Sequence, residues 1–303
     1  MKAAIYFNEL QPLLYGYYIC KGVIFLHRKI SAAVFTVLTA MFMCGCTSDK
    51  NTVGQSAGHN DRGGRTPAET AFLTDGKEKV CYGQGYETDS DNRPVGAIQA
   101  QEKYGSYGGR FIFGKDDKTI CLTFDEGYEN GCTGKILDIL KEKKVTATFY
   151  VTLDYVKSSP ELVQRMINEG HEVGNHSCTH PSLPDISDDT VFEEIHGLET
   201  YISDNFGGYK TVTMRPPRGE FSVRTLRIAK NMGYDTVLWS FAYNDWNTDA
   251  QPDRDTAYRR ITSATHNGAV YLLHAVSETN TAILPDVIDY WLDNGYTVKS
   301  ISG

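Results

Sequence analysis

From Thr119 to the C-terminus, short runs of β-branched and aromatic residues alternate with stretches in which apolar side chains recur every three or four positions. These are the signatures of buried strands and of helices with one buried face. The runs predict seven strands, at residues 119–124, 147–151, 171–175, 212–214, 236–239, 269–273 and 297–301. Helical patterns fill the intervals, and four of them carry start signals. Thr133 opens one that buries Ile136, Leu137 and Leu140, and Ser159-Pro160 opens one with Leu162, Val163, Met166 and Ile167. Ser187 opens a longer one with Val191, Ile195, Leu198 and Ile202, and Ser222 opens the one carrying Leu226 and Ile228. Gly170, Gly233 and Gly295 stand where a helix must turn into a strand. A further short helix is expected over residues 97–104. Strand–helix alternation implies an α/β fold with a parallel sheet, and seven strands fit a deformed (β/α)7 barrel better than a three-layer sandwich.

The pattern before this region is different. His27-Arg28-Lys29 precede an apolar run from Ile30 to Cys46, too short for a comfortable membrane span but suited to a signal-peptide core. Its end, Met43-Cys44-Gly45-Cys46, resembles a bacterial lipoprotein signal, with small Gly45 before a Cys46 that would be acylated and anchored in the membrane. Plain secretion is the alternative. Residues 1–26 add a second apolar segment ahead of the basic cluster, which points to a start further downstream. From 47 to 93 polar and small residues dominate without apolar periodicity, as in a flexible tether. The expected organisation is therefore a signal segment over 1–46, a linker over 47–93 and a catalytic domain over 94–303.

Composition narrows the partners. A net charge of −8 argues against nucleic acid. Seven cysteines, an odd number without a CxxC pair, do not form the pattern of a disulfide framework.

Candidate chemistry follows from the barrel, because parallel α/β barrels carry their working residues at the carboxyl ends of the strands. Asp125 and Glu126 end the first strand, His176 follows the third and Arg215 the fourth. Asp245-Trp246 come after the fifth and His274 after the sixth. Two adjacent carboxylates at a buried strand end need a cation or an arginine opposite them. His176 and His180, four residues apart, would face the same way on one helical turn, and two imidazoles with a carboxylate are a common facial set for a divalent metal. Glu126 is the natural third donor. Tyr128, Tyr243 and Trp246 are candidates for stacking on sugar rings.

Five ordered motifs carry a resemblance: Thr123-Phe124-Asp125-Glu126-Gly127, the HSxxH element at 176–180, Arg215-Pro216-Pro217-Arg218-Gly219, Asp245-Trp246 and Leu272-Leu273-His274. Over about residues 95–303 the chain resembles the polysaccharide deacetylases (NodB homology, carbohydrate esterase family 4). The strings Asp-Glu-Gly-Tyr-Glu-Asn-Gly, Arg-Pro-Pro-Arg-Gly-Glu-Phe-Ser and Leu-Leu-His-Ala-Val-Ser look like its delta-lactam-biosynthetic branch, which acts on muramic acid in spore-cortex peptidoglycan. The resemblance implies that Asp125 is the base, that Glu126, His176 and His180 hold a divalent metal, with zinc the foremost candidate, and that Arg215 orients Asp125. It further implies that His274 is the acid and that Asp245 orients it; Tyr128, Asn130, Pro217, Arg218 and Trp246 are the candidates for binding the glycan strand. A peptidoglycan or chitin-like N-acetylglucosamine deacetylase, or a glycan-binding module with a decayed metal site, are the alternatives.

Two positions depart from the family pattern. Glu126 stands for the usual second aspartate, extending the carboxylate by roughly 1.5 Å. Arg218 replaces a common aromatic residue, and its guanidinium suits a carboxylate such as the lactyl group of muramic acid. His171, His196 and His266 are expected to be structural or solvated, and Cys178 to be a small buried filler.

Overall fold

The computed structural model describes residues 76–303. The expected signal segment, Cys46 and most of the expected tether lie outside these residues. Strand β3 (Thr119–Glu126) is the axis of the sheet, as its β-branched and aromatic run predicts. It pairs in parallel with β9 (Ala269–His274) along one side. Its other side is shared by β10 (Thr297–Lys299) at the start and β4 (Thr148–Val151) at the end. From β4 the sheet continues through β5 (Glu172–Asn175), β6 (Thr213–Met214) and β8 (Asp235–Val237) to β2 (Gly109–Arg110), every pairing parallel. The curled sheet then returns to β9, because Ser240 N and Phe241 N both donate to Val270 O, at 2.9 and 3.1 Å. This is the deformed barrel expected from the alternation. The short β2 was not expected: a Gly-Arg pair has no apolar run to announce it.

Alternation along β3 decides what each side chain meets. Ile120, Leu122 and Phe124 face outward and are buried with Ile136, Leu137 and Leu140 of α2 (Thr133–Lys143) and with Val287, Ile288 and Trp291 of α8 (Glu278–Asp293). Cys121 faces the barrel interior with Tyr150, Val237, Trp239, Val270 and Leu272. Fully burying a side chain of this size contributes about 1.5–3 kcal/mol. A one-residue slip of β3 would lose several such terms, so the register that sets the strand ends is tightly held.

Of the four expected helix caps, two form. The Ser187 and Ser222 hydroxyls each accept from the N–H three residues on, at 3.2 Å. Thr133 does not cap α2: it is already the first helical residue, and its hydroxyl turns back toward Glu126. Ser159 makes no cap bond either, leaving the start of α4 (Pro160–Asn168) to the fixed φ of Pro160; α3, which precedes it, is Leu153–Ser158.

The tether boundary is corrected. Residues from Gly76 to Arg93 pack on the domain and do not trail from it. Val80–Cys81 (β1) pairs antiparallel with Glu220–Phe221 (β7). Tyr82 donates from its hydroxyl to Trp239 O at 2.6 Å, and Gln84 Oε1 accepts from Trp239 Nε1 at 2.9 Å. Isolated anchors, two apolar and one an amide, spaced along a polar segment escape a reading by composition.

Candidate active site

The last residues of β3 point to opposite faces. Asp125 continues the interior row of Cys121 and Thr123, and the register sets it beside His274 of β9 and Tyr150 of β4. Arg215, just past β6, is fully buried and meets it, with Nη1 2.8 Å from Asp125 Oδ1. This is the positive partner that the acidic strand end called for. Arg215 is itself held on every side: Nε donates to Val237 O at 3.0 Å, Nη2 to Leu238 O at 3.2 Å, and the guanidinium lies 4.3 Å over the Tyr150 ring. Burial pushes the Asp125 carboxyl up, but the charges of Arg215, His176 and His274 outweigh it and hold the group below the usual carboxylate value.

His176 lies on the other side of Asp125, with Nε2 3.6 Å from Oδ2. Its Nδ1 is 2.8 Å from Arg215 O. A carbonyl only accepts, so Nδ1 carries the hydrogen and Nε2 turns its lone pair to the mouth. Burial keeps this imidazole below its ordinary pKa, although Asp125 works against the shift. His180 joins it, the two rings 4.9 Å apart. The pair is brought together by an irregular loop, not by the helical turn that the spacing suggested. Ser177 and His180 adopt left-handed φ values of 69° and 58°. Each costs on the order of 1–3 kcal/mol, and the loop is held by Ser177 N to Asn175 Oδ1 and by Thr179 on Glu194. Burial, with neighbouring His176, lowers the His180 pKa to about 4.

Opposite them, His274 Nδ1 is 2.7 Å from Asp245 Oδ1, and His274 N donates to Asp245 Oδ2 at 2.9 Å. Asp245 is fully buried, while His274 keeps 24% of its side chain exposed. Nδ1 therefore carries a hydrogen whether or not the ring is charged, and Nε2, which gains one when the ring is protonated, faces the mouth. Burial acts to lower the His274 pKa, but the charge and hydrogen bond of Asp245 overcome it and raise the value above the ordinary one.

The expected three-donor metal set does not assemble. Glu126 shares the outward row of Ile120, Leu122 and Phe124, so its carboxylate leaves the mouth and lies 3.5 Å from Thr133 Oγ1, beside Glu129 and Tyr155. Burial, with Glu129 and Asp125 adding, pushes this carboxyl well above the usual range. Among the described residues no group of three or more His, Cys, Asp or Glu side chains is disposed to hold a metal ion. Strand periodicity was the available signal: adjacent residues on a strand cannot both face inward.

The proposed glycan-binding residues scatter over the rim. Tyr128 and Trp246 are exposed at 54% and 51%. Arg218 is exposed on the loop after β6, at φ 62°, and its charge acts on His180. Pro217 is buried beneath it. Asn130 donates to Val276 O at 3.0 Å, tying the loop after β3 to the segment after β9. Tyr243 is corrected: it is buried and donates its hydroxyl to Asn280 Oδ1. His171 and His266 are buried and structural, as expected, each with a pKa lowered to about 4 by burial.

Comparison with known proteins places this geometry. The family model for polysaccharide deacetylase matches residues 114–237. The chain is 43% identical over 200 residues to the peptidoglycan-N-acetylmuramic acid deacetylase PdaA of Bacillus subtilis, covering 66% of this chain and 75% of that one. It is 42% identical over 218 residues to an uncharacterised 30.6 kDa protein of Geobacillus stearothermophilus, covering 72% and 82%. The solved structure of B. subtilis PdaA, a family 4 carbohydrate esterase, superposes with a TM-score of 0.71 at 39% identity, over 75% of this chain and 96% of that one. Enzymes of that family are in general metal-dependent. The chain belongs to the polysaccharide deacetylase family, carbohydrate esterase family 4, and is a hydrolase acting on carbon–nitrogen bonds of linear amides.

Proposed function

We propose that this enzyme removes the N-acetyl group from N-acetylmuramic acid residues of peptidoglycan, with Asp125 as base and His274 as acid. The observation that carries the reading is the meeting of two oppositely tuned pairs, Asp125–Arg215 and His274–Asp245, across the β3–β9 register at one barrel mouth. Asp125, held ionised, takes a proton from a water molecule as its oxygen attacks the acetamide carbonyl carbon. The tetrahedral intermediate collapses as His274 gives its Nε2 proton to the departing nitrogen, the C–N bond breaks, and acetate and a free amine result. The backbone N–H near Arg218 is the proposed donor to the oxyanion. No step is assigned to a metal, because the residues present do not form the three-donor set.

The muramic preference rests on Arg218, whose exposed guanidinium beside His180 can pair with a lactyl carboxylate. The name of the relative PdaA agrees with this reading. The freed amine and that carboxylate are the two groups a muramic delta-lactam joins, which makes lactam formation in spore cortex the proposed use. An anchor at Cys46 would hold the domain at the envelope, where the glycan strand lies.

Digesting treated peptidoglycan with a muramidase and weighing the fragments tests the substrate. Loss of acetyl from muramic residues is the expected outcome; loss confined to glucosamine residues would contradict it. The position of Glu126 yields its own prediction. Glu126→Gln keeps the shape of an outward, buried carboxyl and should keep near wild-type turnover, whereas a loss of about 10-fold or more would return Glu126 to the catalytic machinery.

A further inference from the structure

Asp245 is a fully buried carboxylate, and its hydrogen-bond partners can be counted. Oδ1 faces His274 Nδ1, while Oδ2 accepts from His274 N at 2.9 Å and from Asn280 Nδ2 at 2.6 Å. Asn280 is buried in the first turn of α8, where its backbone N–H donates to Ser277 Oγ at 3.0 Å. Its other amide atom, Oδ1, accepts from the buried Tyr243 hydroxyl. The amide has one orientation only. An ionised carboxylate cannot donate, so the NH2 end must face Asp245 and the oxygen must face Tyr243.

We propose that Asn280, locked by Tyr243, is a positioning residue for deacetylation: it clamps the Asp245 carboxylate in the plane that holds His274 with Nδ1 inward and Nε2 toward the substrate. The proposal rests on the reading of His274 as the acid. None of the five motifs contains Asn280, and in the sequence it passes for an ordinary residue near a helix start. Without its N–H, Asp245 Oδ2 loses a donor supplied from a different element than His274 itself. The carboxylate can then rotate about its χ2 angle, and the imidazole follows. Asn280 itself does not reach the mouth, so substrate binding should be untouched.

The test compares Asn280→Ala, Tyr243→Phe and His274→Ala with wild type, reading kcat and KM separately and recording imidazole nitrogen NMR of His274. Asn280→Ala is expected to lower kcat about 10- to 100-fold, the scale of a small misplacement of a reacting group, with KM unchanged. Recorded above the His274 pKa, where the ring is neutral, the spectrum should change from the single Nδ1-protonated tautomer to a mixture of tautomers. Tyr243→Phe, which removes one hydroxyl and keeps the ring, should move both readouts in the same direction and less far. It decides the matter should Asn280→Ala fail to fold. Wild-type kcat, a loss lying wholly in KM, or an unchanged imidazole spectrum would overturn the proposal. His274→Ala separates the two readings: if it stays active, the assignment of the acid has failed, and if it is inactive while the other two variants behave as wild type, the positioning role alone has failed.

Discussion

Arg215→Met is expected to cost about 3–5 kcal/mol of stability, the usual penalty for breaking a buried ion pair from one side, and to abolish deacetylation. Arg215 has no exposed side chain and Asp125 keeps only 11% of its own. Removing the guanidinium leaves a carboxylate at a buried strand end, with the carbonyls of Val237 and Leu238 stripped of their donors. Against a total stability of about 5–15 kcal/mol for a domain, this is a large loss, visible in a denaturant titration. The double variant Arg215→Met/Asp125→Asn should recover much of the stability, since no charge is then stranded, and none of the activity. A single variant as stable as wild type would mean that the pair is not what holds this end of the barrel.

His274→Ala is expected to lower kcat by about 10²–10⁴, the range for removing a general acid, and the pH profile of the wild type shows why. His274 must be protonated to donate. Its pKa is raised above the ordinary value of 6.5, mainly by Asp245 acting against burial, so activity is present below that raised pKa and lost as pH rises through it. Asp125 must be ionised, and its pKa lies below the ordinary 3.8, so the acidic limb falls only as pH drops through that depressed value. A bell with its alkaline limb above 6.5 is therefore expected for kcat/KM. Asp245→Asn, which removes the charge that raises His274, should bring that limb down. An alkaline limb indifferent to Asp245→Asn would contradict the assignment of His274 as the acid.

Much of the fold and of the site was legible in the sequence. Runs such as 119–124 and 269–273 read as buried strands, and the strand-end rule gathers Asp125, Glu126, His176, Arg215, Asp245 and His274, of which all but Glu126 meet at the mouth. What escaped has definite causes. Glu126 pairs with the imidazoles by donor chemistry and by motif position alike, although strand alternation turns it to the helix side with Phe124. The His176–His180 spacing suggests a helical turn, while the two rings reach the same closeness through left-handed backbone at Ser177 and His180 that no propensity announces. The arm from Gly76 to Arg93 reads as linker because its anchors, apolar Val80 and Tyr82 and the amide of Gln84, are isolated residues without a period. Asn280 was invisible for a different reason: its role depends on Asp245 and Tyr243, both distant in sequence.

The central claim is that one barrel mouth hydrolyses an acetamide using Asp125. Acetate released from purified peptidoglycan glycan by wild type and by Asp125→Asn, measured side by side on protein of matched folded fraction, tests it most directly. Release by wild type and its fall to background in Asp125→Asn is the predicted result; equal release by both proteins would contradict it.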